Sequence, residues 1–395
     1  MALLPRLRWR KPRSCEILQF SGTQVTALQL LQNEFSVRHM PLVTEEVNVI
    51  VLLHSLCRLK LSRWAYYKSF CALSRCKVVV VWHDTNIHAF ALKRTLEIPV
   101  MCIQNGIRHD LGPASGKGFF SALKSLPPSI NPSVDDYWVF SEASRRLLES
   151  VISANFHIHG SYRGNEFASR RSSLHHSEGK RKIGFIASFP NASEIPGGHI
   201  LKNSQPFLRR ESKEISYEDW FRFDGMVCKA MARIAEELSL DCAIISKRPG
   251  EDTSEHRYFS QIIETASIPV IGHEKGDGYE LANSFDFLVA TDSTLGYEML
   301  GLGSKVAFVS GRLNSLGVNS REMSFGWPLN IPDHGPFWIS TTDEDEIVDF
   351  LRAFVAIPDS SWKSTTSEVI PRVMVVDPGN SALRKCIAEY VGRRA

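Results

Sequence analysis

Short apolar runs, rich in β-branched residues, alternate along the chain with segments in which apolar residues recur at helical spacing. The runs are typical of strands in a parallel sheet, and the segments are typical of helices that cover such a sheet. In the first half, the predicted strands are residues 16–20, 47–53, 77–82, 99–103, 136–140 and 156–159. The predicted helices there are residues 23–32, 61–73, 87–96 and 142–153.

A second alternation follows a polar, charged stretch that reads RRSSLHHSEGKRK at residues 170–182. Its predicted strands are residues 183–187, 242–246, 269–271, 285–290 and 305–309, and its predicted helices are residues 217–238, 255–266, 278–284, 294–302, 343–355 and 381–391. The segment 310–336 is rich in Gly, Asn and Pro and is long for a simple connection, so it is a candidate binding loop or lid.

The pattern predicts an α/β fold with two Rossmann-like domains, residues 1–170 and 183–395, joined by a linker at 171–182. Because ligands bind beyond the carboxyl ends of the strands in such folds, we expect the two sheets to face a central cleft. The 395 residues are 43% hydrophobic and 23% charged, which excludes a disordered chain. The net charge of +3 is too small to indicate a nucleic-acid partner.

The eight cysteines include no CxxC pair and no Cys/His spacing typical of zinc. We therefore expect buried or free thiols in a reducing cytosol, with neither a structural metal nor a disulfide framework. The first residues, MALLPRLRWRKPRS, lack the order of a secretory signal. Their cations and Trp9 could touch an anionic membrane surface, and a frayed terminus is the alternative.

The most informative motif is ATDSTLGYE at residues 290–298, where a predicted buried strand leads into a predicted helix. Asp292, Ser293 or Thr294 can cap that helix, and Gly296 lets a backbone approach closely, so the turn is a candidate phosphate site. Glu298 lies one turn beyond Thr294 and can project toward a ribose. The alternative is an ordinary capped helix.

Two cations, Lys247 and Arg248, directly follow the predicted strand 242–246. At a strand end they suit a phosphate or a carboxylate, because Arg offers a fork and Lys a point charge. The alternative is a solvated pair of loop residues.

Polar residues also end the strands of the first half. In WHDTN at residues 82–86, Asp84 or His83 could act as a general base; otherwise Asp84 caps a helix and His83 is a packed histidine.

In IQNGIRHD at residues 103–110, the side chains of Gln104, Asn105 and Arg108 are candidates for recognising sugar hydroxyls or a carboxylate, and an Asn-Gly turn with solvent-facing charges is the alternative. Asp110 is a further acceptor candidate and the next candidate base after the residues of WHDTN. In GSYRGN, Arg163 is a further candidate, the alternative being a flexible hinge.

Taken together, WHDTN at 82–86, IQNGIRHD at 103–110, GSYRGN at 160–165 and DSTLGYEMLGLG at 292–303 resemble the bacterial surface-carbohydrate biosynthesis proteins, which are GT-B-like glycosyltransferases of lipopolysaccharide or O-antigen synthesis. The resemblance spans about residues 77–309. More distantly, the 292–298 turn is similar to the donor-phosphate turns of sialic-acid, ulosonic-acid and glycerophosphate transferases and of nucleotide-sugar 2-epimerases.

The resemblance implies that Ser293, Thr294 and Glu298 hold the nucleotide part of a donor, while strand ends of the first domain hold the acceptor. We expect a metal-independent, cofactor-free glycosyltransferase that moves a sugar from a nucleotide-sugar donor to a glycan or glycolipid acceptor. Asp84 is the expected base and His83 the alternate, while Lys247 and Arg248 would stabilise the leaving phosphate.

The expected location is the cytoplasm, with peripheral contact at the inner face of the cytoplasmic membrane as a further expectation. A nucleotide-sugar epimerase or hydrolase of the same architecture is the first alternative function. A noncatalytic scaffold for glycan assembly is the second.

Overall fold

The computed structural model describes residues 5–20, 28, 31–59, 62–82, 84–113, 117–127, 129–171, 179–189, 204–210, 213–249, 253–262, 268–273, 278–318 and 321–392. His83 and most of the predicted helix 23–32 and of the predicted linker 171–182 lie outside these residues. Among the described residues, no helix is both long enough and apolar enough to span a membrane.

Within the described residues, the strands in chain order are β1 (Arg6–Arg8), β2 (Ile17–Phe20), β3 (Val37–Met40), β4 (Glu46–Asn48), β5 (Val78–Val81), β6 (Val100–Ile103), β7 (Gly112–Pro113), β8 (Ser133–Val139), β9 (Ser153–Ile158), β10 (Lys182–Ile186), β11 (Pro206–Arg210), β12 (Lys213–Ser216), β13 (Asp241–Pro249), β14 (Val270–His273), β15 (Phe287–Ala290), β16 (Val306–Ser310), β17 (His334–Gly335) and β18 (Trp338–Ser340). The α-helices are α1 (Val49–Cys57), α2 (Arg63–Ser74), α3 (Phe119–Lys124), α4 (Glu142–Glu149), α5 (Tyr162–Arg170), α6 (Tyr217–Glu237), α7 (Thr253–Ile262), α8 (Gly278–Asn283), α9 (Thr294–Gly301), α10 (Arg312–Ser315), α11 (Glu344–Val355), α12 (Asp359–Thr366), α13 (Ile370–Val373) and α14 (Ser381–Gly392). Two 3-10 turns are Ile87–Ala91 and Pro378–Asn380.

The chain forms two compact units. Unit 1 contains Met1–Ile107, Ala122–Ser169 and Asp377–Ala395, and unit 2 contains Arg108–Ser121 and Arg170–Val376. This division differs from the predicted domains in two segments. Residues 108–121 belong to unit 2 because β7 pairs with β11, and residues 377–395 return to unit 1 because their side chains bond to α5.

The sheet of unit 1 has the strand order β3-β2-β5-β6-β8-β9, and all neighbouring strands are parallel. This order resembles that of flavodoxin-like folds, in which the connections after the first and third strands leave in opposite directions. The four valines of β5 are fully buried, as expected for a central parallel strand. The edge strand β3 escaped prediction because its VRHM sequence exposes Arg38 and lacks an apolar run.

One predicted strand of unit 1 is wrong. Residues 47–53 read as a continuous apolar run, but only the end of β4 is extended and the chain then enters α1. Asn48 causes the change because its side chain accepts hydrogen bonds from the N–H groups of Ile50 and Val51, which are the open donors of a first helical turn. A single N-cap therefore overrides the β propensity of the residues that follow it.

A buried cluster of amides fastens the last helix to unit 1. The Asn165 side chain donates to the Asn380 side chain at 3.0 Å and accepts from the Asp377 N–H at 2.9 Å. Asn380 in turn donates to the Tyr162 carbonyl at 3.0 Å. With a φ of 57°, Asn380 adopts the left-handed conformation that asparagine tolerates better than most residues. These bonds explain why α14 packs in unit 1.

The larger sheet of unit 2 has the order β14-β13-β10-β15-β16-β18-β17, with every pair parallel except β17 and β18. Numbered along this unit, its parallel strands follow the order 3-2-1-4-5-6 of a Rossmann fold, so this predicted fold is confirmed. A smaller antiparallel sheet has the order β12-β11-β7. The strand order places a topological switch point between β10 and β15.

We predict that His159 makes unit 1 sensitive to acid. Burial lowers the pKa of His159 to about 4, with opposing effects from Asp377 and neighbouring hydrogen bonds. Since an unfolded histidine has a pKa near 6.5, the unfolded state binds more protons between about pH 4 and 6.5. Stability should therefore fall by roughly 3 kcal/mol as the pH drops through that window.

The measurement is urea unfolding from pH 7 to pH 4. His159→Gln should flatten the pH dependence, whereas the exposed control His334→Gln should retain it. Equal slopes in the wild type and His159→Gln would contradict the assignment.

Candidate functional site

The candidate site lies at the carboxyl edge of the large sheet of unit 2, at the switch point. Ser188 follows β10, and Thr291 and Asp292 follow β15, which is its neighbour. The Ser188 hydroxyl donates to the Asp292 carboxylate at 3.0 Å, and the Thr291 hydroxyl donates to the same oxygen at 3.0 Å. In open α/β sheets the connections diverge at this point, which leaves a crevice for a ligand.

Helix α9 starts directly beside these residues. Of the three residues predicted as possible caps, Asp292, Ser293 and Thr294, the N-cap residue is Ser293. No side chain makes the cap hydrogen bond. Side chains therefore leave the first N–H groups of α9 uncapped, and the predicted anion site at this helix start stays a prediction. Glu298 lies one turn along and is 8% exposed.

Gly296 has a packing role that the sequence did not reveal. A Cβ at this position would lie 2.7 Å from the Ala290 Cβ and 3.3 Å from the Phe308 ring. Glycine therefore lets α9 pack closely on β15 and β16. The predicted close approach involves strand side chains of the protein.

A buried arginine organises this edge of the sheet. The Arg312 guanidinium donates to the Asp292 carboxylate at 2.8 Å, to the Thr291 hydroxyl at 3.2 Å and to the Asp224 carboxylate on α6. It also lies 4.5 Å from the centre of the Trp220 ring. Only 3% of the Arg312 side chain and 1% of the Asp224 side chain are exposed.

The two carboxylates respond differently to this shared guanidinium. Burial raises the pKa of Asp224 to about 6, against the opposing effect of Arg312. Burial also favours neutral Asp292, but Arg312 and the Ser188 and Thr291 hydroxyls outweigh it and lower the pKa of Asp292. At neutral pH, Asp292 is therefore ionised and its charge is compensated by Arg312.

Gly311 makes the position of Arg312 geometrically feasible. Its φ of 148° lies in a region that side-chain-bearing residues rarely adopt, and a Cβ there would collide with the Thr341 carbonyl. The chain can thus turn sharply after β16 and direct Arg312 back toward the end of β15.

The predicted cations Lys247 and Arg248 lie on β13, which is separated from β15 by β10 in the sheet. Lys247 is exposed, and its N–H donates to the Glu255 carboxylate at 3.0 Å. The Ser246 hydroxyl donates to the other Glu255 oxygen at 2.6 Å. Buried Glu255 on α7 therefore fixes this strand end, while the side chain of Arg248 lies outside the described residues.

In unit 1, Asp84 lies at the carboxyl edge of the sheet, after β5. It is fully buried, and its carboxylate accepts hydrogen bonds from the Asn105 N–H at 3.3 Å and the Tyr137 hydroxyl at 3.1 Å. Its role as a base stays a prediction. The structure adds a positioning role, because the same carboxylate holds the turn after β6.

The predicted acceptor residues of unit 1 differ in their surroundings. The Gln104 amide donates to the Gly106 carbonyl at 2.9 Å and accepts from the Phe140 N–H at 2.9 Å, so it holds the main chain. Asn105 is exposed. Arg163 is also exposed, with its guanidinium 5.8 Å from the centre of the Trp82 ring.

The other two predicted acceptor residues belong to unit 2. The Asp110 carboxylate accepts from the Ser121 N–H at 2.8 Å, and the Asp110 N–H donates to Glu322 at 3.1 Å. The Arg108 carbonyl accepts from the Trp327 indole at 3.2 Å. The structure thus divides between two units the five residues that the sequence grouped on one domain.

Four residues of these strand ends were missed in the sequence: Ser188, Asp224, Glu255 and Arg312. Two of them carried a usable signal. Arg312 lies three residues after a predicted buried strand, much as Asp292 lies two residues after another. Asp224 interrupts the apolar face of a long helix, and a carboxylate at such a position requires a partner.

Solved structures of the same architecture define the fold class. The wall teichoic acid polymerase TagF matches with a TM-score of 0.55 and 11% identity over 96% of this chain and 90% of that chain. MnaA of S. aureus in complex with UDP matches with a TM-score of 0.50 and 13% identity over 95% and 97%. The chain therefore has a two-domain α/β fold of the GT-B kind.

The sequence family is more specific. Residues 101–391 match the family described as "putative O-antigen biosynthesis protein", which is well over half of the chain. The protein belongs to this family, and the resemblance inferred from its motifs is confirmed. No curated protein matches the sequence.

Because Arg312 bonds the buried carboxylate of Asp224 and the half-buried carboxylate of Asp292, we predict that Arg312→Met strongly destabilises the protein. Removing one partner of a buried ion pair leaves an uncompensated charge and costs about 3–5 kcal/mol. The matched control is Arg352→Met, which removes an exposed guanidinium that also bonds two carboxylates and should cost less than about 1 kcal/mol. Urea unfolding at pH 7 gives both values. Similar losses in the two variants would contradict the structural role of Arg312.

Proposed function

We propose that the protein is a glycosyltransferase that uses a nucleotide-sugar donor and acts in the synthesis of a bacterial surface polysaccharide. The observation that carries this proposal is the start of α9 at the switch point of a Rossmann-ordered sheet, with Ser293 and Thr294 at its first positions. Membership of an O-antigen biosynthesis family gives the biological class. The UDP in MnaA shows that a protein of this fold binds a nucleotide.

The proposed donor site uses the helix start in three ways. The N–H groups at the start of α9 and the hydroxyls of Ser293 and Thr294 would bind a phosphate. Arg312 offsets part of the charge of Asp292 next to them, which reduces the repulsion of an anion at this edge. Glu298, one turn further, would accept from a ribose hydroxyl.

The leaving phosphate would be stabilised without a divalent ion, by the helix start and by the cations Lys247 and Arg248. Lys247 is exposed at the end of β13, the strand adjacent to β10. A helix terminus and fixed cations act on developing negative charge because they are oriented before the reaction begins.

The proposed acceptor side uses unit 1. Asn105 and Arg163 are exposed near the carboxyl edge of its sheet and can bond sugar hydroxyls. Asp84 is the proposed base and His83 the alternate. Arg108 and Asp110 stay candidates for acceptor recognition from unit 2.

The donor site predicts a selective loss of nucleotide affinity in Thr294→Val. A panel of CMP, CDP, UDP, GDP and their sugars, screened by thermal shift, identifies the nucleotide that stabilises the protein most. Titration with that nucleotide should give a roughly 10- to 100-fold weaker Kd for Thr294→Val, because a hydrogen bond to a charged group contributes about 1.5–3 kcal/mol.

The control is Thr365→Val, which removes the same hydroxyl from another helix of unit 2, where it bonds the Ser361 carbonyl. An unchanged Kd in Thr294→Val, or an equal loss in the control, would contradict the proposed donor site.

The proposed reaction predicts that sugar is transferred only when a glycan acceptor is present. A free sugar or an epimer formed without acceptor would favour the epimerase or hydrolase instead, and no turnover with any nucleotide sugar would favour a scaffold. In the same assay, Asp84→Asn should lower kcat by about 100-fold or more at an unchanged nucleotide Kd.

Tyr137→Phe separates the two roles of Asp84. It removes the hydroxyl that bonds the Asp84 carboxylate and leaves the proton acceptor in place. We expect it to lower kcat far less than Asp84→Asn does. Equal effects would show that Asp84 only positions the turn.

A further inference from the structure

The exposed large hydrophobic side chains of the described residues are concentrated in one part of unit 1. Trp9 is 69% exposed, Leu59 95% and Leu53 54%. Leu7 and Leu56 are exposed in the same segments, whereas the two remaining examples, Ile158 and Leu238, are far from them in sequence. Contiguous apolar exposure of this kind marks an interaction surface.

The segments that carry these side chains are joined by backbone pairing. β1 pairs in parallel with β4, with Leu7 opposite Val47, and β4 continues into α1. The Asn48 side chain that caps α1 also donates to the Arg10 carbonyl at 2.7 Å, which fixes the chain beside Trp9. Residues 6–13 and α1 therefore form one surface, called here the apolar-basic surface.

Helix α1 leaves part of its apolar surface in solvent. Its sequence is VIVLLHSLC, yet the buried residues are Val51 and Ser55. Leu53 and Leu56 face solvent, while a serine faces the protein. A surface helix normally places its apolar stripe inward, so the exposure of Leu53 and Leu56 is unusual for such a helix.

The charge of the apolar-basic surface is strongly positive. Residues 6–13 contain five exposed cations and no acid: Arg6, Arg8, Arg10, Lys11 and Arg13. Arg58 and Arg63, at the far end of α1 and the start of α2, are also exposed. The acids nearby are Glu45, Glu46 and Glu97; Glu46 bonds Arg8, and Glu97 pairs with Lys68. The cations remain in excess.

We propose that the apolar-basic surface docks on an anionic lipid bilayer. Leu53, Leu56 and Trp9 would enter the boundary between headgroups and acyl chains, and the cations of residues 6–13 would bind lipid phosphates. One sign of charge disfavours a second copy of the chain as occupant, because a two-fold interface would place like charges together. Exposed leucines suit acyl chains, and an exposed tryptophan such as Trp9 suits the headgroup boundary.

This inference does not depend on the proposed function, because lipid binding needs neither donor nor acceptor. Docking on a membrane would also bring the protein to its acceptor, because a protein held at a membrane surface encounters substrates that are anchored in lipid. A glycolipid acceptor is then favoured over a free glycan.

The experiment is co-sedimentation of the full chain with large vesicles, either of phosphatidylcholine alone or with roughly 30% phosphatidylglycerol. Wild type should sediment with the anionic vesicles, with at least tenfold weaker binding to neutral ones and a clear loss at high salt. Trp9→Ala/Leu53→Ser/Leu56→Ser should bind anionic vesicles at least tenfold more weakly. The matched control Ile158→Ser/Leu238→Ser, which removes exposed apolar side chains elsewhere, should bind as wild type.

The charge contribution has its own pair of variants. Arg10→Gln/Lys11→Gln/Arg13→Gln should lose binding to anionic vesicles, and Arg222→Gln/Lys363→Gln/Arg372→Gln, which removes three exposed cations elsewhere, should keep it. Unchanged melting temperatures show that the variants are folded. Wild type that ignores anionic vesicles, that binds neutral ones equally well, or that forms a dimer dispersed by the apolar triple variant would overturn the proposal.

Discussion

The buried guanidinium of Arg312 is the interaction on which the second unit's candidate site depends. It joins three elements: α6 through Asp224, the end of β15 through Asp292, and α10, which begins at Arg312 itself. Burying one cation between two carboxylates is unfavourable unless every charge is bonded, so each member fixes the others. The result is an ionised Asp292 that Arg312 and the Ser188 and Thr291 hydroxyls hold beside the start of α9, so the guanidinium offsets part of the negative charge that an incoming anion would meet.

The first unit also has a carboxylate at the carboxyl edge of its sheet, and different groups bond it there. There the buried Asp84 carboxylate accepts hydrogen bonds from the Asn105 N–H and the Tyr137 hydroxyl. Gln104 bonds the main chain on both sides of its amide. Polar residues after parallel strands thus serve two purposes that sequence alone does not separate: they hold the strand-end turns, and they present groups to a ligand. Asn105 and Arg163 are exposed, so they meet the second purpose more directly.

The sequence predicted the α/β class, most central strands and the motif after β15, because continuous apolar runs and helical spacing report burial directly. It did not predict the Asp224–Arg312 pair, which joins positions 88 residues apart and leaves no local pattern. It also assigned residues 108–121 and 377–395 to domains that differ from the units to which they belong. Their assignment depends on the pairing of β7 with β11 and on the amide cluster around Asn380, which are contacts between residues distant in sequence. Asn48 is a residue type that caps helices, but the apolar run that follows it predicts a strand.

The apolar run at residues 47–53 shows how much hydrophobicity alone can predict. Residues 47–53 are apolar enough to resemble a buried strand, yet the structure turns them into a helix that buries Val51 and leaves Leu53 in solvent. Hydrophobicity indicates that a segment avoids water, but it does not identify the phase that replaces water. When the core of the protein leaves such a face uncovered and cations surround it, a lipid surface satisfies both the apolar area and the charge. The failed strand prediction and the exposure of Leu53 on the proposed membrane surface are therefore two consequences of the same apolar run.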